Sequence, residues 1–325
     1  MRRIAIVGAG AFGTALAVVL ASAGRDVTLW MRSGARASKL RETRENAARL
    51  PGVRLPGAVV ATAGINDLAT AQATLLVLPA QETESFMAAH GGALADAPVV
   101  LCAKGIDAKT HRMQSEIAAA HCGGRPLAVL TGPGFAGEIA RGLPTALTLA
   151  CADRKTGAAL QTLLSTGRMR LYLTSDLTGA QLGGSLKNVI AIACGLSVGA
   201  GLGESARAAL MTRGFAEMTR LAEAMGASRH TLAGLSGLGD LALTCTSAQS
   251  RNFAFGQSLG AGSPAPAGKT VEGIKTALAV CVLAARYGVD MPIAGAVKQV
   301  LDGGATIGEA MEALLSRPLK EESRS

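Results

Sequence analysis

Aromatic side chains are scarce in this chain of 325 residues, with one Trp, two Tyr and six Phe. So few rings exclude the stacking platforms that grip single-stranded nucleic acid. Charge is thin as well, at 17% of residues, while 49% are hydrophobic. That balance excludes intrinsic disorder and leaves ample apolar surface for a large core. The six cysteines (Cys102, Cys122, Cys151, Cys194, Cys245, Cys281) form no Cys-x-x-Cys pair, and His90, His111, His121 and His230 are isolated. No metal site is expected from them, and the thiols read as the reduced cysteines of a cytoplasmic protein.

No membrane span is expected either. The uncharged stretch between Arg3 and Arg25 is long enough for one, and Met1-Arg2-Arg3 imitates the start of a signal peptide. Its interior argues otherwise. Ile4 to Val7 is a short β-branched run, Gly8, Gly10 and Gly13 interrupt any continuous helix, and Phe12 to Ala23 is rich in Ala and Leu. Strand, glycine turn and helix make a soluble βα unit.

Further strands are expected at Asp26–Trp30, Thr74–Leu78, Pro98–Ala103, Leu127–Thr131, Thr145–Ala150 and about Arg168–Thr174, with helical composition in the charged stretch Ser33–Arg49. These runs are short and do not alternate, as strands covered on both faces should be. The pattern predicts an α/β Rossmann-type domain, a doubly wound parallel sheet, over residues 1–180. From residue 181 the apolar runs lengthen to helical size, at Leu182–Ser197, Ser205–Met225, Glu272–Tyr287 and Ala294–Leu301. An all-α domain over 181–325 follows, with a frayed polar end at Pro318–Ser325.

Gly8-Ala9-Gly10-Ala11-Phe12-Gly13 fits G-x-G-x-x-G in its required setting, after a strand and at the start of a helix. The first glycine makes the turn, the second admits a pyrophosphate to the backbone, and the third lets helix pack on strand. An NAD site normally adds an acid at the end of the second strand to accept ribose hydroxyls. Val27 to Arg41 contains none, and Arg32 stands there instead. Arg32 either pairs with the 2′-phosphate of NADP(H) or merely begins a solvated helix.

Lys187 is the only charge between Leu177 and Gly203. Burial there would lower its pKa toward the range of proton transfer, unless the side chain snorkels to solvent. Asp240 is likewise alone between Thr231 and Ser250, positioned to orient Lys187 or to cap a helix. Ser250-Arg251-Asn252 suits a phosphate, and Lys104, delivered by an apolar strand to the ligand edge of the sheet, suits a phosphate or a carbonyl oxygen. Glu272, at a helix start, either joins the site or serves only the helix dipole.

These residues lie in ordered segments that resemble the bacterial NAD(P)-dependent glycerol-3-phosphate dehydrogenases along nearly the whole chain. The segments are the glycine loop, Lys104-Gly105-Ile106, Gly132-Pro133-Gly134-Phe135-Ala136-Gly137-Glu138, Gly142-Leu143-Pro144-Thr145-Ala146, Gly183-Gly184-Ser185-Leu186-Lys187-Asn188, Thr212-Arg213-Gly214, Gly237-Leu238-Gly239-Asp240-Leu241, Thr244-Cys245-Thr246-Ser247, Ser250-Arg251-Asn252 and Glu272-Gly273. The resemblance implies a 6-phosphogluconate-dehydrogenase-like two-domain fold. It also implies reversible reduction of dihydroxyacetone phosphate to sn-glycerol 3-phosphate with NADPH or NADH, supplying glycerophospholipid synthesis.

By the same resemblance Lys187 is the catalytic acid and base, and the mechanism expected from these roles has Asp240 and Asn188 keep its ammonium aimed at the substrate oxygen. Lys104, Gly132, Gly134, Asp240, Ser250, Arg251 and Asn252 surround substrate, and Ala11, Phe12, Arg32, Lys104, Ala136, Arg251, Val271 and Glu272 meet the dinucleotide. The chain departs from the family where Gly134 replaces a usual Ser and Ala11-Phe12 a usual Ser with Trp or Tyr. Two rivals stay open: another NADP-linked reductase of this plan, such as a ketopantoate reductase type, and a non-catalytic NADPH sensor. Ser250-Arg251-Asn252 speaks against the first and Lys187 against the second.

The basic excess, 32 Lys and Arg against 23 Asp and Glu, hints at nucleic acid. No basic stripe supports that partner. Residues 25–54 alone hold eight basic and three acidic residues, which fits a field drawing in a polyanionic cofactor near Arg32. The apolar helical half suits a homodimer.

Overall fold

A computed structural model describes residues 2–264 and 271–318. The expected fraying of Pro318–Ser325 therefore falls, beyond Pro318, outside the described residues. The chain divides into two compact units, Met1–Ala103 with Met113–Leu177, and Lys104–Arg112 with Thr178–Ser325. The short excursion 104–112 means that Lys104 belongs with the helical unit, although the strand that delivers it belongs to the sheet.

The first unit is built on eight strands: β1 (Arg3–Val7), β2 (Asp26–Trp30), β3 (Val59–Thr62), β4 (Ala73–Leu76), β5 (Val99–Leu101), β6 (Leu127–Thr131), β7 (Thr145–Cys151) and β8 (Met169–Thr174). Their order is β3-β2-β1-β4-β5-β6-β7-β8, with the reversal between β1 and β4 that marks a doubly wound sheet. Among the described residues six α-helices serve it: α1 (Ala11–Ser22), α2 (Gly34–Thr43), α3 (Thr83–His90), α4 (Gln114–Ala119), α5 (Ala136–Ala140) and α6 (Arg154–Leu164). Ile4, Ile6, Leu29 and Leu75 are fully buried together with Leu16 and Leu20 of α1. Burial on both faces explains why these strands read as unbroken apolar runs.

Three expectations need correction. The sheet is not wholly parallel, because β7 pairs antiparallel with β6 and β8 then runs parallel to β7. Residues 132–144 between β6 and β7 hold only the five-residue α5, too little helix to carry the chain back for a parallel neighbour. The helix expected through Arg49 stops at Thr43, where Arg44 turns left-handed at φ 54° and its side chain holds the carbonyls of Val59 and Leu55. β3 was not expected at all, since Val59-Val60-Ala61-Thr62 is short and one of its faces stays exposed at Val60.

The second unit is helical: α7 (Leu177–Gly199), α8 (Gly203–Ala224), α9 (Arg229–Ala233), a π-helical turn (Leu235–Gly239), α10 (Asp240–Cys245), α11 (Arg251–Gly260), α12 (Glu272–Arg286), α13 (Pro292–Leu301) and α14 (Ile307–Leu315). Among the described residues α7 is the one helix long and apolar enough to cross a membrane, and 89% of its most apolar stretch is buried inside the protein. It is a core helix. Gly195 and Gly199 of α7 face Gly256 and Gly260 of α11 so closely that a Cβ on any of the four would overlap the opposite backbone. This contact sets the start of α11 beside the middle of α7.

Candidate functional site

Lys187 lies near the middle of α7, between the buried Leu186 and Asn188, and only 6% of it is exposed. Its ammonium does not snorkel. Nζ donates to Asp240 Oδ1 at 2.6 Å and to Thr244 Oγ1 at 2.8 Å, both on α10. Asp240, 1% exposed, accepts with its second oxygen from Lys104 Nζ at 2.8 Å. One buried carboxylate thus holds two ammonium groups. Burial, with the like charge of Lys104, lowers the Lys187 pKa while Asp240 opposes both, and the balance leaves it at about 8. A lysine so poised exchanges its proton near neutral pH.

Asp240 is the first residue of α10, one position past its N-cap Gly239, and its carboxylate accepts from the two lysines. Asn188 does not steady the Lys187 ammonium, as the sequence reading expected. Its amide donates to the Lys104 carbonyl at 2.9 Å and accepts from Asn252 Nδ2 at 2.9 Å. Asn252 Oδ1 in turn accepts from the Gly273 backbone N–H in the first turn of α12. A chain of two amides therefore runs from α12 to the backbone of Lys104. One side chain has one orientation, and Asn188 spends it on Lys104.

Ser250 caps α11 by accepting from the Phe253 N–H at 3.2 Å, and Arg251 follows it, exposed. The N-terminal N–H groups of a ten-residue helix and an available guanidinium together suit a phosphate. Val271 precedes α12, and Glu272 occupies its first turn.

In the first unit, Gly8 has φ +110° and its missing Cβ would overlap the Val77 carbonyl, while a Cβ on Gly13 would overlap the Gly8 carbonyl. Both are demanded by packing. Gly10 differs, since a Cβ there would meet nothing within 4 Å and its backbone is extended. Neither fold nor sterics requires glycine at position 10, and the open space beside it at the N-terminus of α1 is where an anion can approach the backbone. Ala11 and Phe12 open that helix. Asn46 holds the loop in shape, donating to the Ala9 carbonyl at 3.0 Å and Thr14 Oγ1 at 2.8 Å. Arg32 stands exposed just beyond β2, ahead of Ser33, which caps α2.

After β6, Gly132 takes φ +133°, and a Cβ on Gly134 would press on the tip of Ile139 at 2.9 Å. Ile139 fills the space where a Ser side chain would go. Ala136 begins α5.

Two family models, described as the N-terminus and C-terminus of NAD-dependent glycerol-3-phosphate dehydrogenase, match residues 3–157 and 176–312. The chain belongs to this family. It is 56% identical to a glycerol-3-phosphate dehydrogenase, NAD(P)+, of Paracoccus denitrificans, covering 98% of this chain and 99% of that one. A Cereibacter sphaeroides relative of the same name is 54% identical, covering 98% and 100%. The crystal structure of glycerol-3-phosphate dehydrogenase from Coxiella burnetii superposes with a TM-score of 0.92 at 36% identity, covering 97% of this chain and 99% of that one.

Within a glycerol-3-phosphate dehydrogenase frame, the structure brings together Lys104, Lys187, Asp240 and Asn252 among the residues singled out in the sequence. Ser250 and Arg251 lie next to Asn252 at the start of α11. Thr244 and Asn46 were not singled out as site residues. Thr244 lay inside a recognised segment, four residues after Asp240 on one helical face. Asn46 gave no signal, because its contact joins residues 32 and 37 positions apart.

Proposed function

We propose that this chain reversibly reduces dihydroxyacetone phosphate to sn-glycerol 3-phosphate, with Lys187 as general acid and base. The observation that carries the reading is the buried Lys187 ammonium, held by Asp240 and Thr244 and poised at about pH 8. A bound nicotinamide supplies or receives the hydride. Lys187 donates a proton to the carbonyl oxygen as charge develops on it, and in the reverse direction takes the hydroxyl proton. Asp240 keeps the ammonium aimed and the two lysines together despite their repulsion. Arg251, with the N–H groups at the start of α11, holds the substrate phosphate, and that remote grip orients the reacting carbon. Lys104 adds a second positive charge near the substrate.

Gly8, Gly10 and Gly13 with the start of α1 hold the dinucleotide pyrophosphate, and Arg32 receives the 2′-phosphate, which favours NADPH. Phosphate-holding residues beside the lysines favour this substrate over the carboxylate of a ketopantoate-type reductase. We place the enzyme in the cytoplasm, in keeping with six cysteines that form no Cys-x-x-Cys pair, and as a homodimer, supported by the exposed Ile274 and Leu278 one turn apart on α12. Lys187→Ala should still bind NADPH but lose at least about a hundredfold in turnover, the usual contribution of a positioned acid. Near-native turnover in that variant at saturating substrate would overturn the assignment.

A further inference from the structure

The carboxyl end of β2 carries Arg32 and no acid, yet the fold brings a carboxylate to it from another part of the chain. Glu82 ends a short 3-10 turn (Ala80–Glu82) after β4 and directly precedes α3. α3 is fastened over the end of β2 by rings: Phe86 packs edge-on against Trp30 at 5.3 Å between centroids, and His90 lies 6.0 Å from Trp30 and 5.2 Å from Phe86. With α3 so placed, Glu82 Oε2 stands 2.9 Å from Arg32 Nη2. The side chains are 44% and 82% exposed, so this pair adds little to stability. The rings already hold α3, and the fold has no need of the ion pair.

We propose that Glu82 is a cofactor-specificity residue. Its carboxylate supplies the acceptor for the adenosine ribose hydroxyls of NADH that β2 itself lacks, and it competes with the 2′-phosphate of NADPH for Arg32. The proposal rests on the assignment of Arg32 to the 2′-phosphate made above. A carboxylate accepts from two vicinal hydroxyls but repels a phosphate, while a guanidinium grips a phosphate through its planar fork. With the two charges side by side, each dinucleotide finds one favourable group: Arg32 turns from Glu82 to the phosphate of NADPH, and Glu82 accepts from the ribose of NADH.

The test uses the full chain with E82Q and, separately, R32A. Dissociation constants for NADPH and NADH, and for the fragments adenosine 2′,5′-bisphosphate and AMP, are measured by calorimetry beside kcat/KM for each cofactor. At an exposed site each gain or loss of a charged contact is worth about threefold to fivefold. E82Q should therefore tighten NADPH, weaken NADH, and raise the NADPH preference about tenfold. R32A should move the preference the opposite way. An E82Q preference within about twofold of the unsubstituted chain, with R32A shifting it, overturns the role of Glu82 and leaves Arg32 standing. No shift in either variant overturns both.

Discussion

Asp240→Asn keeps the shape of the group that joins the two lysines and removes its charge. Burial and Lys104 both push the Lys187 pKa down, and Asp240 is the largest influence holding it up at about 8. A hydrogen bond to a charged group is worth about 1.5–3 kcal/mol, and one pKa unit corresponds to about 1.4 kcal/mol. Without the carboxylate the Lys187 pKa should fall by about one to two units, to between about 6 and 7. At pH near 7 the ammonium fraction then drops from about nine-tenths to between about a half and a tenth. Reduction needs the ammonium and should lose activity at neutral pH, recovering in part as the buffer is acidified. Oxidation of sn-glycerol 3-phosphate needs the free amine, so its alkaline rise should begin about one to two units lower. The assay is kcat/KM against pH in both directions, with NADPH binding measured separately to show that the dinucleotide still docks. A D240N midpoint that stays at about 8 would refute the electrostatic account, whatever the loss of rate.

Asn188→Asp still accepts from Asn252 but no longer donates to the Lys104 carbonyl, and kcat/KM should fall at least about tenfold with the fold intact by circular dichroism; a loss under about twofold would show that the amide chain does not position Lys104. Glu217 is 2% exposed and receives the Ile293 and Ala294 N–H groups at the start of α13, and burial raises its pKa from 4.5 to about 7. The native state then binds more protons than the unfolded chain across that interval, so this group makes stability fall as pH rises from about 4.5 to about 7, by at most about 3 kcal/mol. Glu217→Gln should flatten that slope in urea unfolding, and an unchanged slope would remove Glu217 as its source. Gly195→Ala forces α7 and α11 apart at Phe253, which should cost about 1–3 kcal/mol in the same assay and raise KM for the phosphate-bearing substrate through α11; an unaffected KM would mean that α11 does not hold the phosphate.

Much of the sheet was legible because strands buried on both faces must be short apolar runs, and β1, β2 and β6 fall almost residue for residue where those runs lie. The direction of β7 was not legible. Composition at Thr145–Cys151 is the same for a parallel or an antiparallel strand, and only the short α5 decides which one the chain can reach. At the site, Lys187 and Asp240 announced themselves as lone charges in apolar stretches. Charge isolation marks a buried group but does not name its partner, so the route of Asn188 to Lys104 and the placement of Asp240 between the two lysines had to be seen.

Sequence by itself determined the glycine loop and the family, and it marked the buried lysine to which we assign the proton. Each is carried by local spacing or by a residue whose burial no neighbour in the chain could offset. Tertiary structure alone decided which charges meet. It set one carboxylate between Lys104 and Lys187, 136 and 53 positions away, drew the 104–112 segment into the helical unit, and brought Glu82 to Arg32 across 50 residues. The reason is physical. Local patterning reports whether a side chain is buried, whereas Coulomb and hydrogen-bond energies depend on separations of a few ångströms that only the packed backbone fixes.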